Sequence, residues 1–312
     1  MDALGLFDNA LLQGLTYAIG VLGVAVAFRV LRYPDLTADG SFLLGSVGFA
    51  AALESSGSWV GALVAALVAG AAAGLLTATL HTRLKVARLL TGVLTTMMAY
   101  SIAFRMLRGR ANLSIRGDTT LFSGAREIDA ASGFHPAQLG VLLIVVAVVT
   151  VAVMFLLRTE VGLTLRAAGG NLELVGRLGV SPTWIQIVGL VLANGLVALS
   201  GAVLTARQGF ADVNAGFGVI ITLIASLVIG EELCRQFLRI RSDRLVYTIL
   251  TPLVGGAAYF LLYLLVLRAS LRGWLPISIQ PTDLKFLSAV VVVAAIFLNS
   301  FGATGEEEEL LF

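Results

Sequence analysis

The chain has 312 residues, a formal net charge of +2, 58% apolar and 13% charged residues, and a mean hydropathy of +0.95. So much apolar sequence, in runs near bilayer-spanning length, defines an all-α polytopic membrane protein. The small, scattered charge gives no footing for a nucleic-acid partner. The single cysteine, Cys234, excludes an intrachain disulfide and a multi-cysteine metal site.

In chain order, the acid-only N-terminus is unlike a cleavable signal peptide. It leads into a first span at about Leu11–Leu31. Arg29, Arg32 and Pro34 follow, and the missing amide and ring clash of the proline stop a helix there. After Pro34–Phe42 (P-D-L-T-A-D-G-S-F) comes Ser41–Leu53, which is too short for a regular span and reads as a half-span. Trp59–Leu80 is a full span whose Gly57/Gly61 and Gly70/Gly74 spacings allow close helix approach. Another span lies at about Leu89–Leu107. The longest polar stretch, Arg108–Pro136, contains Asn112, Asp118, Glu127 and His135. His81 and His135 each stand alone in polar sequence, which argues against a metal centre.

Leu139–Leu157 and Trp184–Leu204 are spans separated by a polar excursion, Arg158–Pro182. Within it Asn171 caps a short helix on which Leu172, Val175 and Leu178 form a narrow apolar stripe. Glu173 and Arg177 pair four apart, Gly179 stops the helix and Pro182 lies beyond. Such a helix is either an ordinary connection or a surface made to lie on lipid or dock into a partner. Past a second glycine-containing break, Val219–Gly230 is again short. A basic loop, Glu231–Arg244, leads to Leu245–Leu267 and a last span at about Leu284–Leu298.

The whole chain, 1–312, is therefore one transmembrane domain of about eight to nine segments, two of them short or discontinuous. It has a polar segment at about 158–182 and an acidic tail at 303–312. The basic residues favour N-out and C-in, with the 158–182 segment cytoplasmic. The two breaks correspond: aligning Arg32 with Arg207 puts Asp39 on Asn214 and Phe42 on Phe217. Interrupted segments in corresponding places point to an inverted repeat with a midplane pathway. Asp35, Asp39 and Asp212 sit near membrane depth, where an ionised group must find a partner, an amide or water. A structural cap for the helix near Ser41 is the other reading of Asp39, and an ion pair with Arg32 that of Asp35. With Thr37, Ser41, Asn194, Gln208 and Asn214 they form the candidate pathway set.

Both lysines, Lys85 and Lys285, follow leucine, so a phosphate-cradling G-x-x-x-x-G-K-[ST] loop is impossible. No oriented nucleophile and base, or paired in-membrane carboxylates, point to an enzyme. An ion-coupled secondary transporter, with Asp39 or Asp212 as ion carrier, is one functional reading of these residues.

Several stretches point elsewhere: Pro34–Phe42; Leu90–Met98 (L-T-G-V-L-T-T-M-M); Gly162–Asn171 (G-L-T-L-R-A-A-G-G-N); Leu192–Gly201 (L-A-N-G-L-V-A-L-S-G); and Gln208–Gly216 (Q-G-F-A-D-V-N-A-G). Through them nearly the whole chain resembles permease subunits of bacterial ABC importers of the branched-chain amino acid and monosaccharide class. The resemblance is nearest to the branch that includes tryptophan-type permeases. It implies a multi-pass cell-membrane protein, a homodimer, an extracytoplasmic binding protein and a separate ATPase that uses the ATP. No cofactor is implied in this chain. It also implies that Asn171, Leu172, Glu173, Val175, Leu178 and Gly179 belong to the helix that docks on the ATPase. The signature E-A-A-x-x-x-G is matched only at Glu173 and Gly179. Leu174 and Val175 replace the alanines, and Leu163 follows Gly162 where sugar permeases carry arginine. An amino acid or similar small solute, rather than a sugar, is implied.

Overall fold

The computed structural model describes residues 3–115, 119–129, 135–236, 245–271, 286, 288–290 and 293. Most of the expected last span, most of the basic loop, the acidic tail and Asp118 fall outside the described residues. Eleven α-helices are described: α1 Ala3–Ala25, α2 Ala38–Ser56, α3 Trp59–Thr82, α4 Arg88–Met106, α5 Ser123–Asp129, α6 Pro136–Arg158, α7 Glu160–Gly170, α8 Leu172–Arg177, α9 Pro182–Gln208, α10 Val219–Gln236 and α11 Leu245–Leu271. Six helical stretches among the described residues are long and apolar enough to cross a membrane: Gly5–Val30, Trp59–Thr82, Arg88–Met106, Pro136–Arg158, Pro182–Gln208 and Leu245–Ser270.

Local chemistry accounts for the ends. The first helix closes through a π-turn, Val26–Val30, and Arg32 takes a left-handed φ of 52° just ahead of Pro34. Ser58 caps α3 by accepting from the Gly61 amide, and Ser181 caps α9 ahead of Pro182. The two segments expected to be short are longer than their apolar cores, 19 residues in α2 and 18 in α10. α2 extends because Ala38–Gly40, polar at Asp39, is accommodated in the interior, where its groups find partners.

α1 and α9 form the central antiparallel pair, and two further helices are placed alike on each. α2 follows α1 after one break and α10 follows α9 after the other. α3 then packs on α9, and α11 packs on α1. Glycine makes both crossings close. A Cβ at Gly70 would overlap Asn194 and Ala198, and one at Gly74 would overlap Leu190; on the other side Gly256 lies against Gly14 and Ala18. Gly57 and Gly61, the other expected close pair, do not serve this way. Gly57 is the left-handed end of α2 with nothing near it, and Gly61 meets only its own cap region. Their position at a helix junction, rather than on a helix face, is the reason.

α6 is the least embedded span. Leu143, Ile144, Val148, Val151 and Phe155 are all exposed, as a lipid-facing surface requires. On the side of the α6 start, β1 (Asn112–Ser114) pairs antiparallel with β2 (Phe210–Asp212). There Asp129 accepts from the Ala137 and Gln138 amides at 3.0 Å each, capping α6 from a neighbouring helix. Burial by itself would raise the Asp129 carboxyl; the Gln138 and Ala137 amides, with His135 nearby, outweigh it and hold it below the usual range. A lowered folded value gives stability that is present above about pH 4, where unfolded aspartate ionises, and lost as pH falls through the lowered value. Hydrogen-exchange protection of the Ala137 and Gln138 amides should therefore drop below that range. In Asp129→Asn the protection should be weaker and independent of acid; equal acid sensitivity in the variant would rule the mechanism out.

Candidate functional site

The break after α1 turns inward. Asp35 is 3% exposed; its two carboxylate oxygens accept from the Thr37 amide at 2.9 Å and the Asn194 side-chain amide at 2.6 Å. Asn194, on α9, returns its carbonyl to the Ser41 hydroxyl at 2.6 Å and donates to Leu190 O at 3.0 Å. Thr37 continues the chain of groups to Thr77 at 2.7 Å, and Thr77 donates to Thr95 at 2.9 Å. Four of the expected residues, Asp35, Thr37, Ser41 and Asn194, thus meet in one buried network. It ties α2, α3, α4 and α9 together beneath the π-turn. A small cleft lined by Gly23, Ala27, Asp35, Ala38, Asn194 and Val197 adjoins it. Arg32 is exposed, and Asp35 pairs with Asn194 and Thr37 instead.

Asp39 acts as a cap, but for a different helix from the one expected. Its carboxylate accepts from the Gly218 amide at 3.0 Å and the Ile220 amide at 2.7 Å, capping α10 rather than its own helix. Gly216 lies directly on Asp39 O, where a side chain would collide. The starts of α2 and α10, which follow opposite ends of the antiparallel α1–α9 pair, are thereby joined through one carboxylate. Their positive dipole ends converge on it. Asp212 and Asn214 lie apart from this junction, Asp212 accepting from the Asn214 amide at 2.6 Å beside the β1–β2 pair. Gln208 is the last residue of α9, on that same side.

The polar excursion contains two helices, α7 and α8. Asn171 accepts from the Leu174 amide at 3.0 Å, Gly179 takes φ 87°, and the exposed Glu173 and Arg177 are 3.9 Å apart. The apolar stripe is divided. Val175 is 2% exposed and joins Val30, Leu31, Leu165 and Ile185 in a core cluster, against which Leu172 is partly buried. Leu178 is 73% exposed and Leu174 51%. Residues three apart drift about 60° per step around a helix, whereas Leu174 and Leu178, four apart, differ by about 40°. The free edge is therefore Leu174–Leu178, and the expectation of a free Leu172–Val175–Leu178 stripe is corrected.

A family model described as branched-chain amino acid transport system / permease component matches residues 6–298. The chain belongs to this permease family. The "Tyrosine transport system permease protein" of Clostridioides difficile (strain R20291) is 32% identical over 287 residues, covering 92% of this chain and 88% of that protein. An uncharacterised protein of Rickettsia prowazekii (strain Madrid E) is 30% identical over 288 residues, 92% of this chain and 95% of its own. The "Autoinducer 2 import system permease protein" of Salmonella choleraesuis (strain SC-B67) is 35% identical over 75 residues, 24% of this chain and 22% of that one. No solved structure matches.

The protein is the permease component of an ABC transport system, a multi-pass cell-membrane protein and not itself an enzyme. Sequence reasoning missed three parts of this permease. Thr77 and Thr95 look like ordinary span residues until α3 and α4 are placed. The α7 helix was legible only in the Thr159 cap, which accepts from the Gly162 amide. The Asp39–α10 cap joins positions 179 apart in sequence, and no local signal carries it.

Proposed function

We propose that this permease imports an amino acid, with L-tyrosine the first solute to test. It works as a homodimer with a separate ATPase and an extracytoplasmic binding protein. The observation that carries the coupling reading is the exposed Leu174–Leu178 edge. It sits on a helix whose other side is anchored in the core by Val175. A short helix fixed from behind transmits a push from a partner; a loosely attached one would absorb it. The tyrosine relative's name supports the solute class, and membership of the permease family supports the assembly. Asp39, where the two interrupted helices meet, is the proposed moving junction of the pathway.

Vesicles carrying the permease, its ATPase and its binding protein should accumulate radiolabelled L-tyrosine or compete it with another amino acid. They should do so only with ATP, and the permease alone should hydrolyse none. Uptake driven by a proton or sodium gradient without ATP would overturn this in favour of a secondary transporter.

A further inference from the structure

Among the described residues, seven buried side-chain polar atoms lack a hydrogen-bond partner, and three of them belong to Asp8, His135 and Arg207: Asp8 Oδ1, His135 Nδ1 and Arg207 Nε. Asp8 is 0% exposed, and its other oxygen accepts from the His135 amide at 2.7 Å where α6 begins. Helix register brings Asp8 and Arg207 to one level. α1 and α9 run antiparallel with Gly23 against Ala193 and Val197, and Gly20 against Ser200. Ser200 donates to Thr16 O at 2.9 Å, and Leu12 shares a cluster with Val203 and Ala206. The next turn outward places Asp8 opposite Arg207.

No ion pair joins them in this arrangement; the pairs among the described residues are Arg29–Glu231, Arg108–Glu54, Arg177–Glu173 and Arg235–Glu232. The C-terminal carbonyls of α9, Ala206 O and Arg207 O, are held by Arg126. Asp8 and Arg126 are near enough for their charges to act on the Arg207 guanidinium. Asp129 caps the same α6 start that Asp8 touches.

We propose that Asp8 and Arg207 form an ion pair across the ends of α1 and α9 in the other state of the transport cycle. The contact is held open in the arrangement described here. A buried carboxylate oxygen and a buried guanidinium nitrogen, both unpartnered and at one level of the α1–α9 pair, disfavour the state in which they stay apart. Direct pairing removes both deficits, and a short slide of α1 along α9 would achieve it. α1 presents no side chain at Gly20 and Gly23, and the slide would exchange the Ser200 bond to Thr16 O while α1 moves past Leu196 and Val197. Packed interfaces of this kind have discrete arrangements rather than a continuum, so the pair would act as a latch on one of them. The inference rests on the transporter reading.

The test uses the full permease–ATPase complex in membranes, with Asp8→Cys and Arg207→Cys combined in a Cys234→Ala background. Disulfide yield is compared between nucleotide-free and ATP–vanadate-trapped complex, with Leu178→Cys crosslinking to the ATPase as a separate reporter. A several-fold change in the yield of the disulfide between positions 8 and 207 is the expected result. Equal yield in both states, while the Leu178 reporter responds, overturns the latch. A reporter that never responds to nucleotide overturns the transporter reading, and the latch with it. Asp8→Asn gives a second measurement, because asparagine can still accept from the His135 amide. It should accumulate like the parent yet slow ATP hydrolysis by the complex several-fold, and the Asp8→Asn/Arg207→Gln double variant should be no slower than either single one. Parental turnover in Asp8→Asn overturns the proposal even if the double-cysteine variant does not accumulate.

Discussion

Val175→Asp should abolish accumulation of the permease, whereas Leu178→Asp should accumulate normally and lose its ATPase. Val175 is 2% exposed among Val30, Leu31, Leu165 and Ile185. A carboxylate there has no donor, and an unpaired buried charge costs several kcal/mol, a large part of the roughly 5–15 kcal/mol by which folded domains are stable. Leu178 is 73% exposed, so in the free permease its replacement should change stability by no more than about 0.5 kcal/mol. In the assembled complex the same carboxylate would be desolvated against the partner. Membrane abundance and co-purification with the ATPase measure the two effects separately. Glu173→Ala, which removes an exposed pair worth about 0.2–0.5 kcal/mol, is the mild control. If Leu178→Asp still binds the ATPase and transports, the exposed edge of α8 is not the docking surface.

Asn194→Leu should be the most damaging single change in the polar network. The side chain both donates to Asp35 at 2.6 Å and accepts from Ser41 at 2.6 Å. Leucine removes both and leaves a carboxylate that is 3% exposed with the Thr37 amide at 2.9 Å. A buried acceptor that loses its donor costs about 1–3 kcal/mol, more when charged, and breaking a buried charged pairing reaches about 3–5 kcal/mol. The expected readout is a marked fall in thermal midpoint and membrane abundance. Asp35→Leu combined with Asn194→Leu should recover part of the loss, because no charge is then stranded. A double variant less stable than Asn194→Leu alone would mean that Asp35 contributes through something other than this bond.

Much of this architecture is legible from local sequence. Apolar run length gives the spans, because the lipid thickness sets it. Asn171, Ser58 and Gly179 mark helix ends, since caps act over three or four residues. The paired breaks around Pro34 and Gly209 are visible because polar residues interrupt otherwise apolar sequence. By contrast, whether Val175 or Leu174 faces the core depends on where α9 and the π-turn lie, and a six-residue helix has too few positions to define its buried face alone.

Sequence alone, then, determined that this chain spans the membrane many times, where polar breaks interrupt its apolar runs and that a short capped helix lies in the polar loop between two spans. Those features follow from hydropathy and short-range capping, which act between near neighbours in the chain. Tertiary structure alone decided what the polar residues do. Asp39 caps α10 from α2, Asp35 joins Asn194, and Asp8 comes level with Arg207 because antiparallel packing of distant helices brings them together. A carboxylate at membrane depth must find a donor, but which one it finds is set by helix register, and register across a bundle is written in no local stretch of sequence.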